Sequence, residues 1–172
     1  MTATMKEALE RLFRRQNFGI KLGLEVQEAL LRRLGNPEEA YGVIHVAGTN
    51  GKGSVCACLE SILRQAGYRT GLYTSPHLVR FNERFRVNGK VIGNAELAPL
   101  VARIETVADE VEKELGRQPT FFECGTALAF EYFREAGVEI AVVETGMGGR
   151  LDATNVVVPV LSVITRVSLE HT

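Results

Sequence analysis

Nothing in this sequence approaches the run of roughly 20 apolar residues that a membrane-spanning helix requires. Its three cysteines, Cys56, Cys58 and Cys124, are an odd set without C-x-x-C spacing. Two of them stand two residues apart on an expected helix and so point in different directions. The set reads as reduced, mostly buried thiols of a cytoplasmic protein. Net charge is also lacking: at −1, the chain gives no electrostatic reason to expect nucleic acid or a membrane surface as a partner. An acidic small molecule would have to be held by local positive groups. The N-terminal stretch 5–15 is amphipathic and carries acids as well as bases. It lacks the apolar centre of a secretion signal, and its acids argue against a transit peptide. There is no internal repeat and no low-complexity linker.

What remains is one domain's worth of ordinary globular sequence: 172 residues, 45% hydrophobic and 24% charged. Leu9, Leu12 and Phe13 form an i, i+3, i+4 stripe on a first helix. A loop over 17–25 leads to a second helix, about 26–34, which stops at Gly35-Asn36-Pro37. An apolar strand over 43–47 precedes a glycine-rich turn and a helix to about 66. A second strand spans 69–74, and Pro76 keeps the following loop out of regular structure. Asn88-Gly89 between extended runs predicts a hairpin with a type I′ turn. Asn94 is expected to cap a long helix over 95–115, and another helix runs over 122–136. A third parallel strand over 138–143 delivers Glu144 to its carboxyl end, and a fourth spans 161–165. The fold class is therefore α/β: an open, mostly parallel sheet flanked by helices and interrupted by one hairpin.

The chain is organised around Gly48-Thr49-Asn50-Gly51-Lys52-Gly53-Ser54. Three glycines leave backbone N–H groups free to point at one spot, without Cβ atoms to keep a ligand away. The helix behind them adds unpaired N–H groups and the positive end of its dipole. Lys52 contributes a full positive charge, and Ser54 a hydroxyl within reach of a magnesium ion. The loop is built for phosphate. Its spacing is shorter than G-x-x-x-x-G-K-[ST], with two residues between Gly48 and Gly51 and with Gly53 between Lys52 and Ser54.

Ligands of an open parallel sheet bind beyond the carboxyl ends of its strands. Those ends are followed by 48–54, then Ser75-Pro76-His77, then Glu144, then His171, so these groups are expected on one edge. Taken alone, Ser75 reads as a turn residue, His77 as part of a polar loop and His171 as a solvated tail. Glu144, ending an apolar strand and followed by glycine, reads as a metal ligand. From first principles His171 is an unusual direct ligand for magnesium, which prefers oxygen. Phe121 and Phe122 offer apolar surface for a flat ring, and core packing accounts for them equally well.

The shortened phosphate loop resembles that of the Mur ligase superfamily. Three blocks narrow the resemblance to folylpolyglutamate/dihydrofolate synthases: 47–54, Thr74-Ser75-Pro76-His77-Leu78, and 144–155 with its Gly-Gly-Arg-Leu-Asp-Ala-Thr-Asn. The resemblance spans essentially the whole chain. It implies a Mur ligase central-domain-like fold, with residues 1–172 the N-terminal portion of an ATP-binding domain, truncated on its C-terminal side. It implies that Thr49, Asn50, Gly51 and Lys52 bind ATP phosphates and that Ser75, Glu144 and His171 hold magnesium. It implies a dihydropteroate site lined by Lys21, Leu22 and Gly23, by Thr120, Phe121, Phe122 and Glu123, and by Leu151, Asp152 and Ala153. Lys21 stands where some members carry an acid, and Glu170 where the common form has aspartate.

The reaction implied is ATP-dependent amide formation between a pteroate or folate carboxylate and L-glutamate. Lys52 and the loop amides would neutralise charge as the γ-phosphoryl group moves. The resemblance also implies a cytoplasmic monomer, a C-terminal ligase domain absent from these 172 residues, and therefore a chain inactive by itself. The last strand is expected to leave a sheet edge open to self-association. Two other readings stand beside this one: a different Mur-type amide ligase, and a nucleotide-binding module without catalysis.

Overall fold

The computed structural model describes residues 3–15 and 23–168. The expectations placed on Lys21, Leu22, Glu170 and His171 lie outside the described residues. Six strands form a single sheet: Gly42–Ala47 (β1), Thr70–Tyr73 (β2), Phe85–Val87 (β3), Lys90–Val91 (β4), Ile140–Glu144 (β5) and Leu161–Ile164 (β6). Their order is β4-β3-β2-β5-β1-β6. Strands β2, β5, β1 and β6 run parallel, and the β3–β4 hairpin adds two antiparallel strands at one edge. The hairpin turn is at Asn88 and Gly89, both at positive φ, as a type I′ turn needs. The mostly parallel α/β sheet expected from the sequence is the one observed.

Among the described residues five helices flank it: Ala3–Arg14 (α1), Glu25–Leu34 (α2), Lys52–Gln65 (α3), Asn94–Leu115 (α4) and Phe121–Glu135 (α5). Of these, α3 alone packs against one face, over Ile44, Val46, Leu72 and Val142. The other helices share a larger core with Val43, Tyr73, Phe85, Ala141 and Val143 on the opposite face. Because side chains alternate across a strand, β1 and β5 feed both cores, so their sequences are almost continuously apolar.

Helix α5 is the hub of the larger core. Apart from Phe122, every residue from Phe121 to Phe133 is buried. A helix apolar nearly all round belongs inside. Its two buried carboxylates are both paired, Glu123 with Arg117 and Glu131 with Arg103 and Arg134. Helix α1 is tied to α4 through Arg15, whose Nε donates to Glu105 Oε1 at 3.0 Å. Cys56 and Cys124 are buried, Cys58 is exposed, and all three are free thiols. Burial pushes the Cys56 thiol up to about 12 and raises that of Cys124 as well. No described helix is long and apolar enough to cross a membrane.

Local boundaries differ from expectation in two instructive places. Asn94 is the first residue of α4, and Gly93 is its N-cap. Glu96 accepts the Gly93 N–H at 3.0 Å, while Asn94 Oδ1 accepts from the Asn82 side chain. The glutamate three residues after a flexible glycine outcompetes the asparagine, whose amide-binding group is engaged elsewhere. Strand β5 begins at Ile140, and Glu139 just before it holds the approach to β2, its carboxylate accepting the Arg69 N–H at 2.7 Å and its own N–H donating to Arg69 O at 2.8 Å. Strand β6 ends the sheet, with Leu161 and Ile164 largely exposed.

Gly71 in β2 packs directly against the Phe133 ring of the larger core. A Cβ there would stand 3.0–3.1 Å from three ring atoms of Phe133. Overpacking of this kind costs roughly 1–3 kcal/mol. Gly71→Ala is therefore expected to lower the urea midpoint by that free energy divided by the m-value, with the m-value unchanged, read by equilibrium denaturation.

Candidate active site

Strand β1 ends in the phosphate loop. Gly48 has φ 135° and Gly51 φ 83°, and Gly51 is the N-cap of α3. Gly48 has a second constraint: a Cβ there would fall 2.0 Å from Thr165 Oγ1. The segment after β6 crosses this loop. Arg166 O accepts the N–H groups of Thr49 (2.9 Å) and Asn50 (3.3 Å). Thr49 Oγ1 donates to Ser168 O and accepts from Ser168 N. The donors left for an anion are the first-turn N–H groups of α3, on Lys52, Gly53 and Ser54, which no intrahelical carbonyl reaches. The Lys52 ammonium folds over the loop, donating to Gly48 O at 2.9 Å and Thr49 O at 3.2 Å.

Glu144 reaches the same edge from β5, whose register sets it opposite Val46. The carboxylate is buried, with 5% of the residue exposed, and Oε2 accepts the Ser75 N–H at 2.9 Å. Among the described residues Oε1 has no hydrogen-bond donor. Burial raises the Glu144 pKa, opposed by the Ser75 N–H and by the charges of Lys52 and Arg84. A Cβ on Gly53 would come within 3.6 Å of Oε1 and 3.8 Å of Oε2, so the carboxylate sits against the start of α3. Phosphate loop, Ser75 and Glu144 are thus brought together, as strand-end reasoning expected.

Among the described residues no three His, Cys, Asp or Glu side chains cluster as a metal cage. The donor set is one buried carboxylate with an unclaimed oxygen, with two serine hydroxyls at the same strand ends, Ser54 in the first turn of α3 and Ser75 in the loop after β2. Hard oxygen donors in small number suit magnesium, which keeps waters and shares phosphate oxygens, better than a cation needing a closed protein cage.

The residues expected at a substrate site divide by what the fold asks of them. Thr120 and Glu123 form a reciprocal cap on α5: Thr120 Oγ1 accepts the Glu123 N–H, and Glu123 Oε2 accepts the Thr120 N–H at 2.7 Å. Phe121 stacks on Phe13 at 5.3 Å, inside the core. Phe122 is only partly buried and lies over Gly146, where a Cβ would strike its ring at 2.4 Å. Asp152 ties down the second glycine loop by accepting from Met147 N, Thr154 N and Thr154 Oγ1. Ala153 is buried, Leu151 is 39% exposed, and Gly23 holds φ 135°.

Two features were missed in the sequence. Arg84 is buried beneath Phe121 and Phe81, with its Nε donating to His77 Nδ1 at 2.9 Å. The signal was there in Phe81-Asn82-Glu83-Arg84-Phe85, a cation framed by aromatics just before a buried strand. His77, read as a polar loop residue, is the side chain that orients it. His45 is the second feature, a polar residue inside apolar β1. Its Nε2 lies 2.8 Å from Thr154 Oγ1. The threonine proton is committed to Asp152, so neutral His45 donates from Nε2, and the chain His45–Thr154–Asp152 fastens the glycine loop to β1.

That chain carries a pH dependence. Burial lowers the His45 pKa in the folded protein, with Asp152 opposing. The unfolded imidazole titrates near ~6.5, so below that pH the unfolded state takes up a proton that the folded state resists. Stability from this residue is complete above ~6.5 and is lost as pH falls toward the lower folded value, by at most about 1.4 kcal/mol per pH unit. His45→Gln does not titrate and keeps an N–H for Thr154. Its melting temperature is expected to fall less than the native chain's between pH 7.5 and 5.5, and equal slopes would remove His45 as the cause.

No family model matches the chain. It is 44% identical over 172 residues to a dihydrofolate synthase/folylpolyglutamate synthase of Bacillus subtilis, covering 99% of this chain and 40% of that protein. Among solved structures, Mycobacterium tuberculosis folylpolyglutamate synthase complexed with ADP superposes with a TM-score of 0.91 at 37% identity, covering 99% of this chain and 38% of that one. E. coli FolC in complex with DHPP and ADP gives 0.86 at 40% identity, over 95% and 39%. The chain spans about two-fifths of the length of these relatives. In sequence and in fold, over nearly all of its length, the chain is similar to a part of the folylpolyglutamate/dihydrofolate synthases.

Proposed function

We propose that these 172 residues form the N-terminal, nucleotide-binding part of an ATP-dependent ligase, one that joins the carboxylate of dihydropteroate or a folate to the amino group of L-glutamate. The observation that carries this is the convergence of the phosphate loop, Ser75 and Glu144 at one sheet edge, in a chain similar to structures that hold ADP. The first-turn N–H groups of α3 and the Lys52 ammonium hold the phosphates. Lys52 gives up its two loop carbonyls to do so, which keeps the empty loop in shape and frees one cation when an anion arrives. Glu144, Ser54 and Ser75 would hold magnesium, with His171 as the family resemblance implies, and the ion would supply positive charge to offset that of the phosphates.

The chemistry is transfer of the γ-phosphoryl group to the substrate carboxylate, then attack by the amine and release of phosphate. Lys52 and the helix dipole neutralise the charge that shifts during transfer. The glycine loop 146–155, pinned by Asp152, and the exposed part of Phe122 offer a flat apolar shelf for the pterin. Leu151, Ala153 and Gly23, with Lys21 and Leu22, complete that site on the resemblance. Thr120 and Glu123 serve it by fixing the start of α5 and so the placement of Phe122. Free buried thiols accord with a cytoplasmic setting.

Lys52→Ala tests the phosphate role. A charge-assisted hydrogen bond is worth about 1.5–3 kcal/mol, so ATP affinity measured by calorimetry with magnesium is expected to fall about 10- to 150-fold. Melting of the free protein should change little, since the side chain bonds only its own loop. Equal affinities would remove the phosphate role. In a polypeptide of the relatives' length, ATP consumption requiring both a pteroate and L-glutamate separates this ligase from other Mur-type ligases and from a silent nucleotide module.

Glu144→Gln tests the metal role. The buried carboxylate is costly without a cation, and its raised pKa records that cost. The free variant is expected to be as stable as the native chain or more so. The extra melting-temperature gain that magnesium gives the ATP complex should vanish. A gain of the same size in both proteins would show that the metal is held elsewhere.

A further inference from the structure

A buried arginine ordinarily has an acid beside it, as buried Arg15 has Glu105 and Asp109. Arg84 breaks the rule. It is 7% exposed, yet among the described residues no carboxylate lies within salt-bridge distance of it. A buried guanidinium without a counter-ion is expensive unless an anion comes to it. Its surroundings hold it still for that purpose. Nε donates to His77 Nδ1 at 2.9 Å, which fixes the plane of the fork. The Phe121 ring lies 5.3 Å from Cζ and the Phe81 ring 6.0 Å, supplying cation–π contact. The N–H of Thr74, directly after the carboxyl end of β2, donates to Arg84 O at 3.2 Å, so the arginine stands at the strand ends, next to the loop that carries Ser75, and its charge is felt at Glu144.

We propose that the Arg84 guanidinium is the specificity-determining group for the substrate's carboxylate, binding it through its two Nη groups beside Glu144. The inference rests on the pteroate reading of the site and adds the residue that reads the reacting end. A planar fork matches a carboxylate, which accepts two parallel N–H bonds. The position suits this better than it suits nucleotide: the phosphates already have Lys52 and the start of α3. Phe121, stacked against Arg84 and adjacent to the half-buried Phe122, connects the cation to the shelf where a flat ring would lie. An aromatic acid laid along that shelf brings its carboxylate to Arg84.

The test compares pteroate with its carboxamide, which differs only in losing the charge. Binding is titrated fluorimetrically to the native chain, to Arg84→Gln and to Arg84→Lys, with ATP titrated alongside. The native protein should prefer the carboxylate by about tenfold or more. Arg84→Gln, which keeps a donor for His77, should bind the two alike and keep its ATP affinity. Arg84→Lys cannot offer a fork, so its preference should drop at least about threefold. If the glutamine variant does not fold, the lysine variant decides by the same measure. A preference at the native level in a folded variant overturns the proposal. So does a loss of ATP affinity in place of carboxylate preference, which would make Arg84 a phosphate group. Failure of the native chain to bind either pteroate or its carboxamide, with ATP binding intact, overturns the pteroate reading itself and this proposal with it.

Discussion

Parallel pairing of β1 with β5, in the register that sets Val46 opposite Glu144, is the constraint from which the site follows. The next residues along β1 are Ala47 and then the Gly48 turn, so the phosphate loop opens beside the carboxylate. Both strands are buried on two faces, and a slip by one residue would turn every side chain to the wrong core. Register is therefore held by the whole apolar sheet. Holding a carboxylate in that position costs free energy locally, and the continuous apolar runs of the two strands offset it.

Glycine does a different task on each side of this junction. At Gly48 and Gly51 the backbone takes positive φ, and at Gly48 a side chain would also collide with Thr165. Gly146 leaves room for the Phe122 ring, whereas a Cβ on Gly53 would only touch the Glu144 carboxylate at 3.6 Å and one on Gly51 would meet nothing within 4 Å. At Gly48 and Gly146 the missing Cβ is therefore replaced by a side chain that approaches the backbone. The loops stay ordered because polar groups tie them down: Asp152 and Thr154 on one, Thr49 with the 166–168 backbone on the other.

Much of this was legible in the residues. Strand, glycine turn, lysine and helix arrive in order, and strand-end logic placed Ser75 and Glu144 with them, because each depends on local pattern plus one general rule of parallel sheets. What stayed hidden depends on partners far away in the chain. His45 drew no reading inside its apolar strand, because its partner Thr154 lies 109 residues on. Arg84 drew none either, since only the packing of Phe121 over it shows that it is inside. Thr120 and Glu123 were expected at a substrate site through resemblance alone, and what the fold shows of them is the cap of α5. Asn94 was read by its own propensity, which the Glu96–Gly93 bond overrode.

The two faces of the sheet are unequal, and the inequality falls where a ligand would act. Among the described residues four helices, with α5 as their hub, make the larger core, whereas α3 alone covers the other face over a handful of residues. Local opening is cheapest where few apolar contacts resist it. The phosphate loop belongs to the thin side, at the start of α3, and is clasped by the segment after β6, whose own strand is largely exposed. Arg166 O and Lys52 Nζ therefore do related work. Each satisfies loop groups that would otherwise stand open, and each bond is to a neighbour with little buried surface behind it. An anion at the start of α3 would compete for Lys52 but leave the Thr49 and Asn50 bonds to Arg166 intact. The loop can thus take up phosphate by moving one side chain, while its backbone stays held by a strand that the larger core does not anchor.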